Sequence, residues 1–80
     1  MECFKLEIIR PTESKTISIF WIDVEGINGD FVVGADHYPL VSILKPRGCL
    51  TYKTEDKLEV KLDVFGGIII VDQNKAKLIL

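Results

Sequence analysis

What is scarce in this chain narrows the field more than what is abundant. It has two cysteines, Cys3 and Cys49, far apart in sequence and without an export signal before them. That pattern reads as two reduced thiols rather than a disulfide framework. A single histidine, His37, has no nucleophile–base partner and no ligand spacing with Cys3, Cys49 or Asp36, which argues against triad chemistry and against a zinc site. No unbroken apolar run is longer than Ile68 to Val71, far below the roughly 20 residues a membrane-spanning helix needs. There is no basic excess: ten Lys and Arg stand against twelve Asp and Glu, and the two signs alternate along the chain. A nucleic-acid binder would cluster positive charge on one face, so that class is set aside. Helical periodicity is also missing, since every 11-residue window with an apolar stripe is broken by Gly or Pro.

What is present reads as strand. Leu58, Val60, Leu62 and Val64 alternate with Glu59, Lys61 and Asp63, and Phe4, Leu6 and Ile8 alternate with Lys5 and Glu7, a period of two that sends one face inward. Ile17, Ile19 and Trp21 continue the pattern with apolar residues on both faces; Trp21 reads as core or, at a partner surface, as a binding hot spot. Turn residues punctuate these runs at Arg10–Glu13, Gly26–Gly29, His37–Pro39, Lys45–Gly48, Thr54–Lys57 and Asp72–Lys75. The chain is 48% hydrophobic, enough for one core, and shows no repeat or linker. We therefore expect one all-β domain over 1–80, a flattened β-sandwich or barrel of short, mostly antiparallel strands. Free edges at Phe4–Ile9 or Ala76–Leu80 would allow pairing into a homodimer.

The glycine-rich stretch Gly26-Ile27-Asn28-Gly29 is not a phosphate loop, because no Gly-Lys-Ser/Thr and no helix follow it. Both glycines are expected at positive φ in a tight turn. Gly66-Gly67 is expected to permit a sharp bend or bulge. No pair of acids, metal cluster or activated nucleophile emerges, so no catalytic, cofactor-binding or metal-binding residues are assigned.

One spaced pattern goes beyond composition. Gly26, Gly29, Asp30 and Phe31 are followed by His37, Pro39 and Leu40, then by Leu44, Lys45 and Pro46; near the end stand Gly66, Gly67, Val71 and Asn74. In this spacing the chain resembles the N-terminal β-sandwich domain of the epsilon subunit of F-type ATP synthases, over nearly its whole length. Departures are Val32–Asp36, Val24-Glu25 where the family often has Leu-Pro, and Arg47 displacing the usual Pro-Gly pair. The helical hairpin that follows in many members has no counterpart in these residues; a natural short form, an excised domain and a diverged or redesigned relative all fit.

The resemblance implies a non-catalytic rotor-stalk subunit that holds the gamma subunit to the ring of c subunits and couples rotation to ATP synthesis. It implies no cofactor and a peripheral place on the cytoplasmic face of the energy-transducing inner membrane, without signal peptide or membrane insertion. By resemblance Glu25, Asn28, Gly29, Asp30 and Phe31 face the ring, and His37, Tyr38, Pro39, Leu40, Ser42 and Ile43 face gamma. The alternative is a diverged, freestanding β-sandwich interaction module outside the synthase.

Overall fold

The computed structural model describes residues 2–80. Eight strands succeed one another: β1 (Phe4–Ile9), β2 (Ser14–Gly26), β3 (Gly29–Gly34), β4 (Leu40–Ile43), β5 (Gly48–Thr54), β6 (Glu59–Val64), β7 (Ile68–Asp72) and β8 (Lys75–Ile79). No helix occurs among the described residues. The strands are hydrogen-bonded in the order β4-β7-β8-β1-β2-β5-β6, with β3 also on β2. Every pairing is antiparallel except that of β1 with β8.

β2 makes two layers out of this one sheet. Its first half pairs with β1, from Ser14–Ile9 to Ile19–Phe4. Its second half pairs with β3 on one side and β5 on the other. Between them the register with β5 slips at Ile19/Trp21. The inward set changes parity across that slip: Ile19 is fully buried, and then Ile22 and Val24. An extra residue in one strand bends it and raises its twist, which carries β2 from one layer into the other. Trp21 is left half-buried outside the core as a consequence.

Among the described residues fifteen apolar side chains line the interior, with Leu6, Ile19, Ile22, Leu44, Leu50, Ile69 and Leu78 the largest that are fully buried, and no polar or charged residue is buried with them. Each such Leu or Ile contributes about 1.5–3 kcal/mol of burial free energy. The period-two reading of β1 holds: Phe4, Leu6 and Ile8 point inward. That of β6 holds from Val60 onward. Leu58, expected inside, is 63% exposed. Lys57 adopts φ 66° and the Leu58 amide donates to Thr54 Oγ1 at 3.2 Å, so the hairpin loop claims Leu58 before the strand begins.

Two further expectations need correction. Phe4–Ile9 and Ala76–Leu80 are not free edges, because the first and last strands pair with each other in parallel and each has a second neighbour. The open ends of the strand order are β4 and β6. Of the two turn glycines, only Gly29 has positive φ, at 136°. Gly26 is needed for space: a Cβ there would lie 2.9 Å from the Gly29 carbonyl oxygen and 3.0 Å from Ser42 Oγ.

Gly66 and Gly67 make the bend between β6 and β7 at φ 106° and 132°. A Cβ on Gly67 would run into the Ile79 carbonyl oxygen, and the Gly67 carbonyl accepts from the Leu44 amide at 2.9 Å. We expect Gly67→Ala to lower unfolding free energy by about 1–3 kcal/mol in urea titrations. Gly34→Ala is the control: that Cβ meets nothing within 4 Å and φ is ordinary, so its effect should stay within about 0.5 kcal/mol.

Candidate interaction surfaces

β4 is the strut between two loop clusters. At its Ile43 end lies the β2–β3 hairpin, stitched to it by Ile27 N donating to the Ile43 carbonyl (2.9 Å) and Lys45 N donating to the Glu25 carbonyl (3.0 Å). At its Leu40 end lies the 36–39 loop, beside the β7–β8 turn. Four residues of strand separate the two clusters by about 13 Å.

The hairpin brings five expected residues together but does not present all of them. Asn28, Gly29 and Asp30 are exposed. Phe31 is half-buried and packs against the core. Glu25 is turned aside: its Oε1 accepts from the Cys49 amide at 2.6 Å. The β2–β5 ladder stops at Val24–Leu50, since β2 then meets the end of β4 through a Gly26–Leu44 bridge. The Glu25 carboxylate takes the strand amide that the ladder leaves over. This also relieves a clash, because Glu25 and Asp30 are direct cross-strand partners of like charge. Asp30 in turn has Lys45 Nζ at 3.9 Å; both side chains are exposed, and such a pair adds about 0–1 kcal/mol.

The amide bond of Cys49, then its thiol, hold the Glu25 carboxyl below the usual glutamate range, with Lys45 and Lys61 adding to the effect. The thiol's own hydrogen bond to the Glu25 carboxylate, then partial burial and the Glu25 charge, push the Cys49 thiol up.

The second cluster is preformed by local contacts. Asp36, at φ 61°, donates its amide to Asn74 Oδ1 at 2.9 Å. Gln73 and Asn74 both have positive φ, as a two-residue hairpin turn requires. His37 Nδ1 donates to the Tyr38 carbonyl (2.7 Å), and the two rings stack with centroids 4.3 Å apart. Tyr38 is 71% exposed and Pro39 is exposed with it.

Along β4 the pleat divides the expected residues. Leu40 and Ser42 lie on the inner side, half-buried. Val41 and Ile43 point out. Their cross-strand partners are Ile70 and Ile68, and the row through Ile43 continues to Ile79 and Ile9. The outer face of β4, β7, β8 and β1 therefore carries a four-isoleucine row with Val41 and Ile70 beside it. Val41, Ile43, Ile68 and Ile79 are 69%, 56%, 39% and 37% exposed. Val41 and Ile43 lie in the stretch that the resemblance places toward gamma; Ile68, Ile70 and Ile79 join them through strand pairing, which no local pattern specifies. A contiguous apolar patch of this kind marks a contact surface. Among the described residues no three potential metal ligands cluster, and no helix is long and apolar enough to cross a membrane.

Comparison with known proteins follows this geometry. Residues 3–80 match the family model of the ATP synthase delta/epsilon chain, β-sandwich domain. The chain is 35% identical over 74 residues to the ATP synthase epsilon chain of Rhodopseudomonas palustris (strain BisA53), covering 91% of this chain and 53% of that one. It is 36% identical over 75 residues to ATP synthase epsilon chain 1 of Nitrobacter hamburgensis, with the same coverage. The chain thus spans about half the length of the curated relatives it matches. In fold it is similar to a chain of the Euglena gracilis mitochondrial ATP synthase OSCP/F1/c-ring assembly, with TM-score 0.89, 22% identity and coverage of 96% of this chain and 49% of that one. A chain of the Tetrahymena thermophila mitochondrial ATP synthase central stalk/c-ring gives TM-score 0.78 at 16% identity, covering 94% and 60%.

Glu25 titrates with a sign that can be checked. Its folded pKa lies below the unfolded value of about 4.3, so its stabilising contribution is complete above that value and is lost as pH falls through the folded pKa. NMR titration of the Glu25 side chain should give a midpoint below the ordinary glutamate range. Glu25→Gln should flatten the acid limb of stability between those two values and quicken alkylation of Cys49 near pH 8.

Proposed function

Since the chain belongs to the delta/epsilon β-sandwich family of ATP synthase, we propose that it is the sandwich part of a central-stalk rotor subunit. In that role it holds the gamma subunit to the c-ring and does no bond-making chemistry. Its place is peripheral, on the cytoplasmic face of the energy-transducing membrane. The observation that carries this reading is the pairing of two unlike surfaces along β4. One is the apolar face of Val41, Ile43, Ile68, Ile70 and Ile79; the other is the polar hairpin tip Asn28–Asp30 beyond the end of the same strand.

The apolar face suits gamma, because a permanent contact inside a rotating shaft gains most from buried apolar area. His37, Tyr38 and Pro39 extend that face past the Leu40 end of β4, with Tyr38 as a rigid aromatic contact. The hairpin tip suits the polar loops of a ring, where Asp30 makes a charge or hydrogen-bond contact that salt weakens. A sandwich knitted by loop-to-strand hydrogen bonds transmits torque between the two without yielding. The alternative, a freestanding interaction module, rests on the departure of Val32–Asp36 from the family pattern.

Calorimetry and size exclusion of the chain with a cognate gamma subunit separate these readings. Tight one-to-one binding is expected; a folded chain that fails to bind at tens of micromolar sinks the rotor assignment. Ile43→Asp and Tyr38→Ala should each weaken gamma binding by about tenfold or more. Asp30→Lys should weaken ring binding at low salt and spare gamma.

A further inference from the structure

The hairpin tip can serve a partner only if it is held in one orientation, and the structure shows what holds it. At Val24 the backbone ladder between β2 and β5 ends. Beyond it, the same edge of β2 is fastened to the end of β4, by Lys45 N donating to the Glu25 carbonyl and Ile27 N donating to the Ile43 carbonyl. Between β2 and β5 themselves no backbone pairing continues past that point, and the Glu25 carboxylate links them through the 2.6 Å bond from the Cys49 amide.

The turn that delivers Cys49 is tight and lies beside this contact. Arg47 adopts φ 61°, the Gly48 amide donates to the Lys45 carbonyl at 3.2 Å, and a Cβ on Gly48 would stand 3.4 Å from Glu25 Oε1. Lys45, from the same turn, reaches over to Asp30. The β2–β3 hairpin and the β4–β5 turn are thus clasped together by the Glu25 carboxylate, the Lys45 amide and the Lys45–Asp30 contact.

We infer that Glu25 is a positioning residue for the ring-facing hairpin: its carboxylate replaces the missing ladder bond between β2 and β5 and sets the orientation of Asn28–Asp30, without itself touching the ring. This rests on the rotor reading above, and it removes Glu25 from the residues that face the ring directly. Charge is incidental to the role. What matters is an acceptor oxygen at that reach, which glutamine also supplies.

The test measures binding of the full 80-residue chain to detergent-solubilised c-ring and, separately, to gamma, for wild type, Glu25→Ala and Glu25→Gln. Glu25→Ala should weaken ring binding by about tenfold, leave gamma binding within about twofold, and speed hydrogen exchange at Cys49, Ile27 and Asp30. Glu25→Gln should recover most of the ring affinity. Wild-type ring affinity in Glu25→Ala overturns the inference. So does equal loss toward ring and gamma, which would mean general destabilisation, and so does failure of Gln to rescue, which would mean direct charge contact. If the wild-type chain does not bind the ring, the rotor reading falls instead. Hydrogen exchange at Ile27 and Asp30 in Glu25→Ala then decides the positioning claim, and unchanged rates overturn it.

Discussion

The fold depends on one strand serving two layers. β2 is thirteen residues long and is the neighbour of β1, β3 and β5. A flat strand of that length could bury only one face against one partner layer. The register slip at Ile19/Trp21 lets Ile17 and Ile19 face the core from the first half and Ile22 and Val24 from the second. Without it the alternation would carry Trp21 inward and turn Ile22 and Val24 to solvent, because a one-residue shift exchanges the faces of a strand. Closure at the other side of the molecule, by the parallel β1–β8 pair, is possible because β2 has already brought the layers face to face.

The two surfaces proposed for partners are products of that closure. β4 meets β7 along its length and touches the end of β2 at Gly26–Leu44. Two glycines allow these contacts for different reasons. Gly26 leaves room for Ser42 and the Gly29 carbonyl, whereas Gly67 lets the β6–β7 bend press against the Ile79 carbonyl while receiving the Leu44 amide. The strut, the hairpin and the bend therefore form one continuous hydrogen-bonded body. The proposed torque-bearing role calls for such a body, whose cross-links are backbone bonds rather than surface ion pairs. The exposed Lys45–Asp30 and Lys75–Glu7 contacts, at 3.9 and 3.7 Å, add little beside them.

Much of this was legible beforehand, for identifiable reasons. Strands with one wet face announce themselves by period two, as Phe4–Ile8 and Val60–Val64 do. Turns announce themselves by Gly, Asn, Asp and Pro, and the Gln73–Asn74 and Glu55–Lys57 loops fall where those residues predict. Leu58 departs from the alternation because its amide donates to Thr54 Oγ1, a bond invisible in an alternation pattern that holds it in the loop. The edge strands were misread because pairing between the first and last strands leaves no local trace. In the hairpin, Asn28, Gly29 and Asp30 stand exposed at the tip, while Glu25 and Phe31 turn inward for reasons set by β5 and the core.

The sequence by itself determined the class of the fold, the family to which the chain belongs, and where the turns fall. These are local properties: alternation, turn chemistry and spacing each act within a few residues. Only the tertiary structure decided which outward side chains meet. Ile9, Ile43, Ile68 and Ile79 come from four strands and become one apolar row through registers that no single strand specifies. The Glu25 carboxylate accepts from the Cys49 amide because the ladder beside it stops one residue short. Register and ladder length are properties of pairs of strands, and pairs exist only once the chain has closed on itself.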